Sequence, residues 1–257
     1  MLKKILSQEE LEEIKAVVTA VFQGANFIAL KEGCDYEYYL SEDENDFFNI
    51  EDFKAMLFND GITNVDIATG MTKIVLIPND KDYVIKIPIT KIGDYEYYEN
   101  EKGNWVKGKL IIANNNFGDY CSIEEKLFNS FDNEIKKIFA ETKFITKLNN
   151  LPIYIQEKIK TPYRKKINQF DPNHYPSDRK SDMDIHYELN LIGEYNEYYN
   201  EFQEDFCYDI LVNYGFEFLI KLLQIIDSEG ISDLHSGNYG YNKDYKPMIF
   251  DYSGYGE

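Results

Sequence analysis

Two aspartates and an asparagine near the C-terminal end carry the clearest chemical signal in this chain of 257 residues. Asp233 and Asn238 lie five residues apart in Ile231-Ser-Asp-Leu-His-Ser-Gly-Asn238, and Asp251 follows thirteen residues later in Ile249-Phe-Asp-Tyr-Ser-Gly254. Phosphoryl transfer asks a protein for little covalent chemistry. It needs an acceptor hydroxyl in line with the γ-phosphate and cations against the β- and γ-oxygens. Hard Mg²⁺ takes oxygen ligands from one or two carboxylates plus phosphates, which the Asp251 carboxylate and the Asn238 amide oxygen supply. Asp233 would then receive or orient the acceptor hydroxyl. The plainer alternative is a helix–loop–hairpin whose polar residues cap turns.

A kinase-like ATP site also needs a glycine turn over the phosphates, a strand lysine for the α/β-phosphates and a helix glutamate to hold that lysine. Ala68-Thr-Gly-Met-Thr-Lys73 contains such a turn at Gly70, and Tyr83-Val-Ile-Lys-Ile87 places Lys86 on a strand sixteen residues later. Cys121-Ser-Ile-Glu-Glu-Lys126 opens a helix whose phase favours Glu124 as the lysine's partner, with Glu125 the adjacent alternative. Tyr154-Ile-Gln-Glu-Lys-Ile159 supplies a final strand.

In this order the segments resemble the protein-kinase-like superfamily, with Asp233-Leu-His-Ser-Gly-Asn238 closest in wording to aminoglycoside-kinase-like enzymes. The resemblance spans roughly residues 65–257 and implies an ATP- and Mg²⁺-dependent phosphotransferase. It implies Gly70 and Lys86 at the phosphates, Glu124 behind Lys86, and backbone groups of Glu157 to Ile159 at adenine. Asp233 is then the catalytic aspartate, and Asn238 and Asp251 bind the metal. The chain departs from the pattern at Ile231, where His is usual, at Tyr252-Ser253 after the metal aspartate, and in a glycine loop reduced to Gly70. With Glu257 six residues past Asp251, a shortened helical lobe is expected.

The elements that must position these groups can be read from periodicity. Ser7-Gln-Glu-Glu10 is a capping box, followed by Leu11, Ile14, Val17, Val18 and Val21 at helical spacing. Strands are expected at 26–30, 36–40, 65–69, 73–77, 83–88, 110–113, 142–147 and 152–159, and helices at 50–58, 123–139 and 206–228. Residues 90–108 read as a long loop, 160–180 as irregular and 183–202 as helical. The expected fold is α+β and bilobal: an acidic N-terminal extension (1–60), a β-rich lobe with one helix (61–158) and a helical lobe (159–257).

Charge and composition exclude several classes. The net charge of −19 disfavours direct binding to nucleic acid or anionic lipid. The excess is concentrated in two blocks, residues 1–60 with 14 acidic and 5 basic side chains, and 181–220 with 10 acidic and none basic. These blocks read as solvated faces or as a docking surface for a basic protein. No apolar run reaches membrane-spanning length and the N-terminus turns acidic early, so a cytoplasmic protein is expected. Cys34, Cys121 and Cys207 have neither disulfide-framework nor zinc-knuckle spacing. Ser122 and Ser236 lack a base at triad-like spacing, and His174 and His186 lack ligand neighbours.

Two functions follow as expectations. One is a kinase-like phosphotransferase acting on a Ser or Thr hydroxyl of a protein, or on a small alcohol. The other is a kinase-like binding protein or pseudokinase whose acidic surface blocks a basic, nucleic-acid-handling partner, as a phage or mobile-element inhibitor would.

Overall fold

The computed structural model describes residues 7–22, 26–32, 35–43, 46–49, 64–69, 72–89, 91–114, 119–148, 151–160, 204–231 and 237–253, with single positions 55 and 234. The chain is a mixed α+β protein with antiparallel sheet. It divides into two compact units, one from residues 2–122 and 143–156, the other from 123–142 and 157–257. Residues 2–60 thus fall in the same unit as the strands of the β-rich half.

In the first unit, α1 (Gln8–Phe22) begins with the expected capping box. Ser7 Oγ accepts the Glu10 N–H at 3.1 Å, and the Glu10 carboxylate accepts the Ser7 N–H at 2.8 Å. Ile14 and Val18, one turn apart, are buried against a five-stranded sheet ordered β4-β5-β6-β10-β9. Its strands are β4 (Val65–Thr69), β5 (Lys73–Pro78), β6 (Tyr83–Pro88), β9 (Thr142–Leu148) and β10 (Leu151–Glu157). Alternation sends Ile74 and Leu76 of β5, Ile85 and Ile87 of β6, and Ile153 and Ile155 of β10 into one core with α1. Each such side chain contributes roughly 1.5–3 kcal/mol by leaving water.

A second sheet in this unit has the order β3-β2-β1-β7-β8. It comprises β1 (Asn26–Glu32), β2 (Asp35–Asp43), β3 (Asp46–Asn49), β7 (Lys91–Glu99) and β8 (Trp105–Asn114). Here the sequence expectation fails. Most of residues 90–108 form not a loop but the hairpin β7–β8, paired from Lys91↔Asn114 to Glu99↔Trp105. Tyr97, Tyr98 and Trp105 are all exposed, so the apolar-in, polar-out alternation that betrays a strand is missing there. Aromatic β-propensity and cross-strand pairs, such as Lys107 Nζ 3.6 Å from the Tyr95 ring centre, support it instead.

In the second unit, α2 (Tyr120–Ser130), α3 (Glu204–Tyr214), α4 (Phe216–Ser228) and the hairpin of β11 (Tyr239–Tyr241) and β12 (Pro247–Ile249) supply the core. Phe139, Phe206, Leu222 and Ile249 lie at its centre. Two expected helices are shorter than their periodicity suggested. The run 123–139 breaks after Ser130, where Asp132 Oδ1 accepts the N–H groups of Glu134 and Ile135 at 2.9 Å and starts a separate 3₁₀ turn, Ile135–Lys137. The run 206–228 breaks at Gly215, whose φ of 87° no helix contains. The expected features at 50–58, 160–180 and 183–202 lie outside the described residues, apart from positions 55 and 160. Among the described residues, no helix is long and apolar enough to cross a membrane.

Candidate functional site

The hairpin β11–β12 brings Asn238 and Asp251 together. It pairs antiparallel from Tyr239↔Ile249 to Tyr241↔Pro247, so the residues flanking its ends meet at the open mouth. There the Asn238 carbonyl accepts the Phe250 N–H at 3.0 Å and, more weakly, the Asp251 N–H at 3.4 Å. Asn238 is buried and Asp251 half-buried. The backbone thus brings close together two residues whose side chains, a carboxylate and an amide, are hard-oxygen donors of the kind a small divalent cation takes alongside phosphate oxygens. No group of three or more His, Cys, Asp or Glu with metal-binding arrangement occurs among the described residues, and a cation completed by phosphates does not require one.

Glu124 lies in the same unit. Its side chain on α2 is fully buried (0 % exposed), and its Oε2 accepts the Thr142 hydroxyl at 2.9 Å. Glu125 is half-buried. Helical phase explains the difference, since Glu124 stacks one turn before Phe128, a core residue. Tyr252 ties α2 to the residues beside Asp251: its hydroxyl donates to the Ala140 carbonyl at 2.9 Å and, at 3.3 Å, to the Glu124 carbonyl. Burial, and then the Glu124 charge, push this phenol well above its ordinary pKa and keep it protonated.

Residues 157–160 join the hairpin from another side. Lys160 and Tyr241 exchange both backbone hydrogen bonds, at 2.8 and 2.9 Å. A Cβ on Gly240 would come within 2.3 Å of the Lys160 carbonyl oxygen and 2.9 Å of Ile159 Cγ2, so only glycine permits this approach. Glu157 and Ile159 are half-buried.

Lys86 belongs to the other unit. It sits on β6 opposite Val75 of β5, and only 2 % of it is exposed. Because Ile85 and Ile87 face the α1 core, Lys86 faces the opposite side of the sheet. By the same alternation Tyr154 and Gln156 of β10 also leave the α1 core. The Tyr154 hydroxyl donates to Asp119 Oδ2 at 2.5 Å, and burial followed by this bond raises its pKa far above the ordinary value. Asp119 also caps α2, its Oδ1 accepting the Ser122 N–H at 3.0 Å.

Five of the sequence-predicted site residues, Glu124, Glu157, Ile159, Asn238 and Asp251, therefore share one unit, and Lys86 lies in the other. Gly70 and Asp233 fall outside the described residues. Ile231 and Leu234, which bracket Asp233 in sequence, are both buried in the second core.

Three polar side chains escaped the sequence reading. In the sequence Thr142 stands only at the start of an expected strand, and Tyr252 only as a departure at the metal motif. Asp209, 4 % exposed, accepts a hydrogen bond from the Tyr241 hydroxyl. Its signal was present: an acid stands between Phe206 and Ile210 on the apolar face of a helix.

No protein-family model matches the chain, no curated protein matches it in sequence, and no solved structure matches it significantly in fold. What the fold and the hairpin mouth define is thus a class, an α+β protein with a buried lysine on one sheet and paired oxygen donors on a two-stranded hairpin.

Proposed function

We propose that the chain is an ATP- and Mg²⁺-dependent phosphotransferase of protein-kinase-like type, bilobal, with an antiparallel-sheet lobe and a shortened helical lobe. One observation carries the reading: the Asn238 carbonyl receives the backbone N–H groups of Phe250 and Asp251, so two oxygen-bearing side chains thirteen residues apart flank one hairpin mouth. A capping role for isolated turns gives no reason for that convergence. Two further features support it. Lys86 sits on the third strand of a β4-β5-β6 succession, and the next helix carries a buried glutamate, as a phosphate-binding lysine and its partner do in kinases.

In this reading Asn238 and Asp251 hold Mg²⁺, which when bound neutralises the β- and γ-phosphate oxygens. By the kinase-like resemblance, Lys86 would take the α- and β-phosphates, with Glu124 as its counterpart and Gly70 as the phosphate-covering glycine. The strip 157–160, held on the hairpin through Tyr241, offers its backbone groups to adenine. Asp233 orients the acceptor hydroxyl, a protein Ser or Thr or a small alcohol, and takes its proton. The acidic blocks suit a basic acceptor, with electrostatic steering of the encounter.

The test is incorporation of label from γ-labelled ATP with Mg²⁺, comparing wild type with Asp233→Ala, Asp251→Ala and Lys86→Met. Incorporation that all three substitutions abolish supports the enzyme. A wild-type protein with no nucleotide-dependent thermal shift overturns it. A partner captured equally by these variants and released by salt then favours a kinase-like binding protein.

A further inference from the structure

We infer that Asp209 is a positioning residue for the Asn238–Asp251 pair, an assignment that rests on the proposed role of that pair. Phe206 and Asp209 stand one turn apart on α3, on the same face. Tyr239 and Tyr241 stand two residues apart on β11, on the same side of the strand. The two spacings match. The Phe206 and Tyr239 rings lie 4.2 Å apart at 34°, and the Tyr241 hydroxyl donates to Asp209 Oδ2. α3 thus grips β11 at two points, one apolar and one polar.

The strand is held from a second direction as well. Tyr241 is bonded through its backbone to Lys160, and Gly240 admits the Lys160 carbonyl where no side chain fits. Asn238 directly precedes this doubly held strand, and its carbonyl receives Phe250 and Asp251. Any slip of β11 along α3 would move both proposed metal ligands.

A buried carboxylate is a costly way to fill a slot between Phe206 and Ile210, where leucine would pack without the desolvation penalty. What Asp209 adds is direction. An apolar contact tolerates sliding, whereas a bond from a carboxylate to a phenol fixes the register of β11 against α3. Asp209 touches neither nucleotide nor acceptor in this assignment and acts through Tyr241.

The experiment compares amide hydrogen exchange of Phe250 and Asp251 in the full chain as wild type, Tyr241→Phe, Asp209→Ala and Asp209→Asn. Tyr241→Phe and Asp209→Ala should accelerate these two amides by about tenfold or more while α4 amides such as Leu222 keep their rates. Asp209→Asn, whose amide oxygen still accepts from Tyr241, should remain within about threefold of wild type. The Mg²⁺ concentration that half-saturates the ATP-induced thermal shift should rise about fivefold in Tyr241→Phe, consistent with loosened ligand geometry. Unchanged exchange at Phe250 and Asp251, or uniform acceleration that includes α4, overturns the assignment. Should Asp209→Ala not fold, Tyr241→Phe, which keeps the ring and its packing, decides alone. A wild type without any nucleotide response would sink the phosphotransferase reading, and the exchange comparison would still decide the role of Asp209.

Discussion

The Tyr252 hydroxyl donates to the backbone carbonyl of Glu124, 128 residues earlier, at 3.3 Å, and to that of Ala140 at 2.9 Å. Its ring meets Phe139 edge-on, 4.8 Å between centres. A single buried phenol therefore joins α2, the segment entering β9 and the stretch after β12. Replacing it by phenylalanine keeps the ring and removes the donor, taking from the Ala140 carbonyl its 2.9 Å bond and from the Glu124 carbonyl a longer one at 3.3 Å. Tyr252→Phe should cost about 1–3 kcal/mol of stability, read as a lowered urea midpoint with an unchanged slope. No change in midpoint would show the hydroxyl to be dispensable.

Alkaline pH should destabilise the fold. Burial raises the pKa of Tyr83, Tyr154, Tyr214 and Tyr252 above the ordinary tyrosine value of 10.0. In the unfolded chain these phenols ionise near pH 10, while in the native protein they keep their protons. The unfolded state then binds fewer protons, so stability is fully present below about pH 10 and falls as pH rises beyond it. Melting temperature measured from pH 8 to 11 should be flat at first and then decline, and Tyr252→Phe should shallow the decline.

At the acid end, Asp132 is held at a pKa of about 2, first by its bond to Lys221 and then by the Ile135 and Glu134 N–H groups. Lys221 Nζ lies 2.8 Å from Asp132 and 2.9 Å from Glu134. A depressed carboxylate contributes stability above its unfolded value, lost as pH falls through about 2. Lys221→Met should return the Asp132 pKa toward 3.8 in an NMR titration. A pKa that stays near 2 in that variant would assign the depression to the backbone donors.

Two glycines make opposite predictions about space. At Gly240 an added Cβ meets the Lys160 carbonyl oxygen at 2.3 Å, so Gly240→Ala must separate the strip 157–160 from β11. The expected loss is at least the roughly 1–3 kcal/mol of core overpacking, and under the proposed function nucleotide affinity should fall as well. At Gly215 nothing lies within 4 Å, and only the φ of 87° opposes a side chain. With ψ at 171°, a backbone region essentially reserved for glycine, Gly215→Ala should cost about 1–3 kcal/mol and, under the proposed function, leave nucleotide binding alone. Thermal melts with and without Mg²⁺–ATP separate the two cases.

What could be read in advance was local. The Ser7–Glu10 capping box is complete within four residues, and the alternation of β5 and β6 follows from neighbours along the chain. Helical phase favours Glu124 over Glu125 as the lysine's partner; Glu124 is buried and Glu125 half-buried, a difference that phase explains without deciding the pairing. Illegible features lacked such a local signal. The hairpin β7–β8 exposes aromatic and charged residues in succession, so no alternation marks it, and Gly215 breaks a helix whose apolar rhythm continues on both sides.

The sequence by itself determined many of the helical and extended segments, though not the β7–β8 hairpin or the breaks at Ser130 and Gly215, because periodicity, caps and turn chemistry act between residues close along the chain. Only the tertiary structure decided that Asn238 accepts the N–H groups of Phe250 and Asp251, that Lys160 lies against Gly240, and that Tyr241 reaches Asp209. Such pairings depend on partners 12 to 80 residues away, whose meeting is set by packing of the second core and not by any propensity of the residues themselves.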